Sequence, residues 1–381
     1  MEKEKNIALV IKTDGLEYDD RVRKEILTVQ KLYPSIRFKI FVMLPENKEA
    51  TGVTGYGVPY KSVYIPSRDK YPSAKKTALK SYEFYKFIKE DLKNFDAIWC
   101  ANEDTAVIAA MVSNKHLLWD LHELPTSLMR GMTKKLLLRY IFSRCKVVVH
   151  ANDQRKDYLK RIGVIKKIEK HFSLRNFPNF EDIDGEYDDK YREFIEWKGE
   201  NRCVYLQGLT TDARSAYESI SSVLQVNNLR AAVIGKFDEK SKEKLVKEYG
   251  DDFNKRVFFV GKIPQLKIPQ YMKQCCMTLV FYKNTRANNY YCEANRFYQA
   301  VILGLPVVVG CNPTMKELVD TNKYGVSIDD DGRSVDKITK GIQEVLEHYD
   351  YYCNNVKMNQ DKLLWKTQES EIGRIIQILL S

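Results

Sequence analysis

The chain has 381 residues, more than the roughly 100–200 typical of one domain, so two domains are expected. It is 44% apolar and 30% charged, which excludes a disordered or fibrous polypeptide. Basic residues outnumber acidic ones by 62 to 51, a formal charge of +11; unless it serves solubility alone, that excess favours anionic partners such as nucleotides, phosphorylated lipids, a membrane face or nucleic acid.

Short β-branched runs alternate with longer amphipathic ones. In the first half, strands are expected at 6–13, 37–44, 95–101, 116–122 and 146–151. Helices are expected between them at 20–33, 73–94, 104–114, 133–145 and 152–163, the last stopped by Gly163. Strands separated by helices imply parallel βαβ units. The pattern breaks at 174–200, a polar, acidic segment with a proline, which reads as a linker and its flanking helix. It restarts with strands at 202–208, 229–235, 256–261, 277–282, 305–310 and 324–329, and a helix at 213–226. A last helix, "KTQESEIGRIIQILLS", has one apolar face that must dock. Two facing doubly wound domains would create a cleft at the carboxyl ends of their strands, where ligands bind.

The eight cysteines, at 100, 145, 203, 275, 276, 292, 311 and 353, form no CxxC pair and no zinc-spaced cluster. They read as reduced core thiols, so a cytoplasmic location is expected. The opening "MEKEKNIALV" lacks the apolar segment of a signal peptide, and no apolar run approaches the ~20 residues that span a bilayer. There is no GxGxxG fingerprint and no Walker-type loop, so an NAD site or P-loop is not expected.

Glycines Gly208, Gly235, Gly261 and Gly310 close four strands of the second half. A strand-end glycine lets backbone approach a ligand, although one alone is ordinary turn chemistry. The stretch "EANRFYQAVILGLPVVVG" (293–310) suggests a helix starting near Glu293 or Ala294, whose tip can bind phosphate. Arg296 adds a cation in the first turn, and Gln299 lies on the same face, able to bond sugar hydroxyls. The competing reading is a solvated first turn. His122, after the strand "LLWDL", is either a structural histidine or a cleft residue beside Glu123. "DDD" (329–331) before Gly332 reads as an acidic turn, not a metal motif. Gly15, after the first strand, either admits a ligand or makes a turn.

Six segments in order resemble the retaining GT-B glycosyltransferases of the large family 4 type. They are "DGLEYDDRVRKE" (14–25), "WDLHELP" (119–125), "VYLQGLTTDARSAYESI" (204–220), "FFVGKIPQLKIPQYMKQCCMTLVFY" (258–282), "YYCEANRFYQAVILGLPVVVG" (290–310) and "LLWKTQESEIGRIIQILL" (363–380). The resemblance implies an α/β GT-B fold: two Rossmann-like domains with parallel sheets facing a central cleft. It assigns 1–175 to an acceptor domain, 176–200 to a linker, 201–365 to a nucleotide-sugar domain, and a terminal helix, 366–381, that crosses back to the first domain. It implies donor contacts at Gly15, Gly208, Arg214, Gly235, Lys262, Ala294, Asn295, Arg296 and Gln299, and a catalytic role for His122. A nucleotide diphosphate-sugar would be the donor, a glycan or lipid-linked molecule the acceptor, with no metal or other cofactor and no nucleic acid. Bacterial surface-polysaccharide synthesis is the implied setting.

Four positions depart from the family. Its paired glutamates are Tyr291 and Gln299 here, the lysine of its "NK" pair is Arg296, and the arginine that often follows the strand-end glycine is Leu209. The alternative these changes motivate is a catalytically inactive GT-B-like subunit serving a partner. Basic, aromatic stretches at 61–89 and 129–146 suggest peripheral association with an anionic membrane, or else ordinary solvated helices.

Overall fold

The computed structural model describes residues 4–71, 75–179 and 189–381. The chain forms two compact units, 1–176 with 368–381, and 177–367.

The first unit carries an eight-stranded sheet of β1 (Lys5–Lys12), β2 (Ile36–Met43), β3 (Ala50–Val53), β4 (Pro59–Ser62), β5 (Ala97–Ala101), β6 (Leu117–Leu121), β7 (Val147–His150) and β8 (His171–Ser173). Their spatial order is β3-β4-β2-β1-β5-β6-β7-β8. All neighbours pair in parallel except β3 with β4. The second unit has an all-parallel sheet of β9 (Arg202–Gln207), β10 (Leu229–Ile234), β11 (Val257–Gly261), β12 (Met277–Val280), β13 (Val307–Val309) and β14 (Gly325–Ser327). Its order, β11-β10-β9-β12-β13-β14, is the 3-2-1-4-5-6 of the Rossmann fold. Leaving aside β3, the first unit repeats that logic. Strand order therefore reverses between β1 and β5 in one unit and between β9 and β12 in the other. These are the points where a doubly wound sheet opens a crevice for a ligand.

Strands covered on both faces read as continuous apolar runs. In β9, Cys203 and Tyr205 enter one core, with Phe297, Phe194 and Tyr271, while Val204 and Leu206 enter the other, with Ile220, Ile338 and Ile342. β10 and β13 alternate likewise, Val307 and Val309 on one side and Val308 on the other. Gly325, at φ +153, lets β14 approach β13; a Cβ there would lie 1.9 Å from the Val307 carbonyl oxygen.

The terminal helix (Glu369–Leu380) docks in the first unit, as its apolar face requires. Lys31 pairs with Glu369 at 2.8 Å, and the Tyr33 hydroxyl donates to the Gly373 carbonyl. Of the segment read as a linker, residues 180–188 lie outside the described residues. Phe177 and the flanking helix (Asp189–Lys198) belong to the second unit, where Phe177 meets Tyr298 edge-on and Phe194 is buried against Tyr271. Other departures are local. The antiparallel β3–β4 pair was not expected, because four-residue strands holding Gly52 or Pro59 carry little periodic signal. The helix expected over 104–114 is a 3₁₀ turn (Glu103–Thr105) and a short helix ending at Met111. The long helix runs Thr77–Leu92, and residues 73 and 74 of the expected span lie outside the described residues.

Candidate functional site

The switch point of the second unit gathers two arginines. Gly208 follows β9 at φ +71, and a Cβ there would lie 2.8 Å from Arg214 Nη1 and 3.3 Å from Arg296 Nη1. Both guanidiniums lie over the ring of Tyr282, just after β12, at 5.3 Å for Arg214 and 5.1 Å for Arg296. Arg214 Nη1 donates to the Gly208 carbonyl, and Arg296 Nη1 to the Tyr282 hydroxyl, each at 3.2 Å. Burial pushes that phenol up, so it stays neutral.

Arg296 is only 5% exposed, and among the described residues its Nε and Nη2 have no hydrogen-bond partner. Among the described residues neither arginine has a carboxylate partner. The adjacent acid, Glu293, accepts from the Tyr298 hydroxyl. A buried cation is normally paired, because desolvation of an unpaired charge costs several kcal/mol (of order 3–5 when a pair is broken). Neighbouring Lys283 shows the ordinary solution: 4% exposed, it pairs with Asp212 at 2.6 Å and Glu218 at 2.8 Å. Two adjacent guanidiniums with free donors make an anion site.

Arg296 sits in the first turn of the eight-residue helix Asn295–Ile302, whose cap, Ala294, offers no side-chain acceptor. The whole helix after Asn295 is buried, so the solvated-turn reading is set aside. Gln299, one turn on, is 4% exposed, and its side-chain amide has no hydrogen-bond partner among the described residues. Tyr291, at the other departure, is also buried.

The structure thus brings Gly208, Arg214 and Arg296 into contact, with Ala294, Asn295 and Gln299 on the helix that carries Arg296. It shows no contact from Gly235 or Lys262 to this group. Gly235, at φ +89, has open space where its Cβ would stand, and its N–H donates to the Gly261 carbonyl. Lys262 is exposed and unpaired among the described residues. Gly310 differs from the other strand-end glycines: its φ is not positive, and the Asp330 carbonyl oxygen stands 2.8 Å from the Cβ position, so internal packing excludes a side chain there. The "DDD" run is an acidic turn, with Asp330 Oδ1 accepting the N–H groups of Gly332, Arg333 and Ser334. Local pattern singles out neither Tyr282 nor Ser215, a buried residue at φ +55 whose hydroxyl has no partner among the described residues.

In the first unit, His122 lies just past β6 with both ring nitrogens engaged. Nε2 is 3.0 Å from Asp120 Oδ2, and Nδ1 is 3.2 Å from Asn102 Nδ2. Because Asp120 accepts and the Asn102 amide donates, the neutral ring carries its proton on Nε2. Asn102 follows β5 at φ +66, a strained backbone held by its N–H donating to the Asp120 carbonyl and its carbonyl accepting from Trp119 Nε1. Strain of this kind persists where surrounding bonds over-determine it, often at functional sites. Gly15 is at φ −178, extended backbone open to any residue, and a Cβ would touch the Tyr18 ring at 3.0 Å.

Behind His122, Arg21 bonds Asp120 Oδ1 at 2.9 Å and lies 3.0 Å from Glu25 Oε1. Glu25, Asp120 and His122 offer clustered metal-ligand atoms, but the Arg21 guanidinium already lies against both carboxylates. Burial would raise the Asp120 carboxyl, yet Arg21 and then His122 outweigh it and hold it well below the usual carboxylate range. Burial and the Asp120 charge push Glu25 well above that range. One arginine serves two buried acids, and both causes favour the protonated form of Glu25.

Solved structures repeat this fold over the whole chain. Sucrose-phosphate synthase from Thermosynechococcus elongatus superposes at TM-score 0.77 with 14% identity, covering 99% of each chain. Anabaena HepE, in complex with UDP and glucose, superposes at 0.70 with 13% identity over 98% of this chain and 100% of that one. A UDP-forming α,α-trehalose-phosphate synthase from Burkholderia xenovorans superposes at 0.71 with 10% identity over 99% and 100%. At such identities the likeness is one of fold, and the fold is GT-B. No protein-family model and no curated protein matches the chain.

The Glu25 assignment has a pH signature. A carboxyl whose folded pKa is raised stabilises the fold below its unfolded value, about 4.3, and loses that contribution as pH rises. Glu25→Gln copies the neutral form. Its stability relative to wild type is therefore expected to increase between pH 5 and pH 8 in urea denaturation. A pH-independent difference, or one that shrinks, would show that Glu25 is ionised beside Arg21.

Proposed function

We propose that the chain is a retaining glycosyltransferase that moves a sugar from a nucleotide diphosphate-sugar to a glycan or lipid-linked acceptor in surface-polysaccharide synthesis. The observation that carries this reading is the Arg214–Arg296 pair over Tyr282, without a carboxylate, at the switch point of the second unit. In the reaction the diphosphate departs with growing negative charge. Donors fixed beforehand in a water-poor setting stabilise that charge without reorganising. Arg296 supplies buried, unsatisfied N–H groups, Arg214 a second guanidinium, and the tip of the helix Asn295–Ile302 the positive end of a dipole. With that charge in the protein, the proposal includes no metal. Gln299 would bond the ribose diol as a neutral amide. Support comes from HepE, a similar fold whose structure contains UDP and glucose.

His122 is proposed to contact the transferred sugar, which requires it to exchange its bond to Asn102 while Asp120 keeps the ring oriented. The inactive-subunit alternative rests on Tyr291, Gln299 and Leu209, together with that double engagement of the ring. Membrane association is proposed through the helix Met132–Arg144. Its residues Met132, Leu136 and Tyr140 form an exposed apolar stripe, with exposed Lys134 alongside.

Arg296→Met separates binding from stability. Removing buried donors that lack partners is expected to raise the thermal midpoint of the free protein. The same change is expected to remove the stabilisation that UDP or a UDP-sugar gives wild type. A destabilised variant that still responds to UDP would end the donor-site reading. His122→Ala should lower turnover more than donor affinity, since contacts made in the transition state appear in kcat. Wild type that binds donor without hydrolysis or transfer would instead assign the inactive-subunit function. In co-sedimentation the protein should bind vesicles containing phosphatidylglycerol, lose them at high salt, and ignore phosphatidylcholine vesicles. Equal binding to both lipids, or to neither, would remove the membrane assignment.

A further inference from the structure

Asn102 holds a backbone that glycine would adopt more easily. Its φ of 66° and ψ of 172° fall in a region open almost solely to glycine. The strain is maintained by neighbours on the backbone of residue 102. Its N–H donates to the Asp120 carbonyl at 2.8 Å, and its carbonyl accepts from Trp119 Nε1 at 3.0 Å and from Thr105 Oγ1 at 2.9 Å. Glycine would keep all three bonds without the strain. What asparagine adds is its side chain. The one hydrogen bond of that side chain, among the described residues, joins Nδ2 to His122 Nδ1 at 3.2 Å. Strand pairing makes the meeting possible, since Ala101 stands opposite Asp120 in the parallel β5–β6 ladder and sets Asn102 beside the turn that carries His122.

His122 is held at three atoms. Nε2 faces Asp120, which is fully buried and bonded to Arg21. The main-chain carbonyl accepts from Nη1 of Arg155, itself 6% exposed. Nδ1 faces Asn102. The first two holds each involve a buried charge, and hydrogen bonds to a charge are roughly twice as strong as neutral ones. Breaking either would leave that charge less compensated in a low-dielectric interior. The third joins two neutral groups at the long end of the hydrogen-bond range, on a side chain that is 17% exposed. It is therefore the hold that a ligand can exchange. With the proton on Nε2, Nδ1 offers a lone pair, so the group that replaces the amide must bring an O–H or N–H.

We propose that Asn102 is a positioning residue for His122: its amide fixes the imidazole plane and keeps Nδ1 free of a proton until a substrate hydroxyl takes the amide's place. The proposal rests on the reading of His122 as a residue of glycosyl transfer. It gives the strained backbone a purpose, which is to aim the amide at the ring. The exchange replaces one donor to Nδ1 by another, while Asp120 and Arg155 keep the rest of the residue in place.

The test is the full chain labelled with 15N-histidine, its five imidazoles assigned with the help of His122→Ala, read together with hydrolysis of UDP-, GDP-, dTDP- and ADP-glucose. Wild-type His122 is expected to show a protonated Nε2 and an unprotonated Nδ1. Asn102→Gly retains the backbone bonds, so its thermal midpoint should equal or exceed that of wild type. Its His122 Nδ1 signal should nonetheless shift, and turnover should fall about ten- to a hundred-fold, as misplacement of a reacting group does, with UDP affinity unchanged. Asn102→Asp, nearly the same shape, presents an acceptor in place of the donor; it should protonate Nδ1 and lower turnover further. A wild-type Nδ1 that carries the proton overturns the proposal, as does a His122 spectrum unchanged in both variants. Shifted nitrogens with undiminished turnover overturn it too, by reducing Asn102 to a structural contact. The expected shifts in a protein that hydrolyses none of the four donors keep the hold of Asn102 on His122 and end the glycosyltransferase reading alone.

Discussion

A guanidinium buried without a counter-charge is the constraint around which the second unit is organised. Arg296 loses most of its hydration and gains in return one phenol oxygen and the face of one ring. Nothing local compels this. Lys283, nearby and equally buried, has two carboxylates, and Arg21 in the first unit bonds Asp120 and lies against Glu25. The fold can neutralise a buried cation and does so elsewhere. At Arg296 it instead holds the cation rigidly: the helix Asn295–Ile302 is packed through Phe297, Tyr298 and Val301 into the core on one face of the sheet. An anion arriving there meets donors that are already oriented and largely dehydrated, and its binding energy offsets what the empty fold lacks. Stability is given up at the place where a ligand can restore it.

Strand order explains why that place is where it is. Parallel strands covered on both faces have no exposed surface except their ends, and crossovers leave a gap only where their direction reverses. Gly208 stands at one side of the gap and Tyr282 at the other. A side chain at position 208 would meet both arginines, so the bare backbone is what lets Arg214 and Arg296 share the space. Gly310, at the end of β13 and away from the reversal, has the same position in its strand but a different reason to be glycine, the nearby Asp330 carbonyl.

Much of this was legible in the sequence because it depends on local pattern. Runs such as "NIALVIK" and "LPVVV" state a strand, and the amphipathic spacing between them states a crossover. The resemblance of "EANRFYQAVILGLPVVVG" to a donor segment marked Arg296, and the strand-end glycine marked Gly208. Illegible were the features made by convergence of distant segments. Tyr282 lies 14 positions from Arg296 in the chain, and nothing in "LVFYKN" says that its ring will carry two guanidiniums. Asn102 became visible only through its strained backbone, since an asparagine after a strand is an ordinary turn residue. The β3–β4 pair escaped for the opposite reason: its strands are too short and too polar for any period to register. Gly235 and Lys262 were inferred by analogy of position, and the structure shows neither touching the arginine pair.

The two units share one topology but meet the problem of buried charge differently. In the second, the cations come from the turn after β9 and from the crossover between β12 and β13. In the first, the polar residues of the β6 end, Asp120 and His122, are tied up by Arg21 and Asn102. A neutralised network resists displacement, because breaking one member strands another charge in a low-dielectric interior. A crowded, partly unsatisfied one invites an anion. By this criterion the Arg21–Asp120–Glu25 cluster is scaffolding behind His122, and the Arg214–Arg296 pair has the character of an anion site. Burial alone does not distinguish them, since both contain a buried arginine. The distinction lies in whether the protein itself supplies the opposite charge.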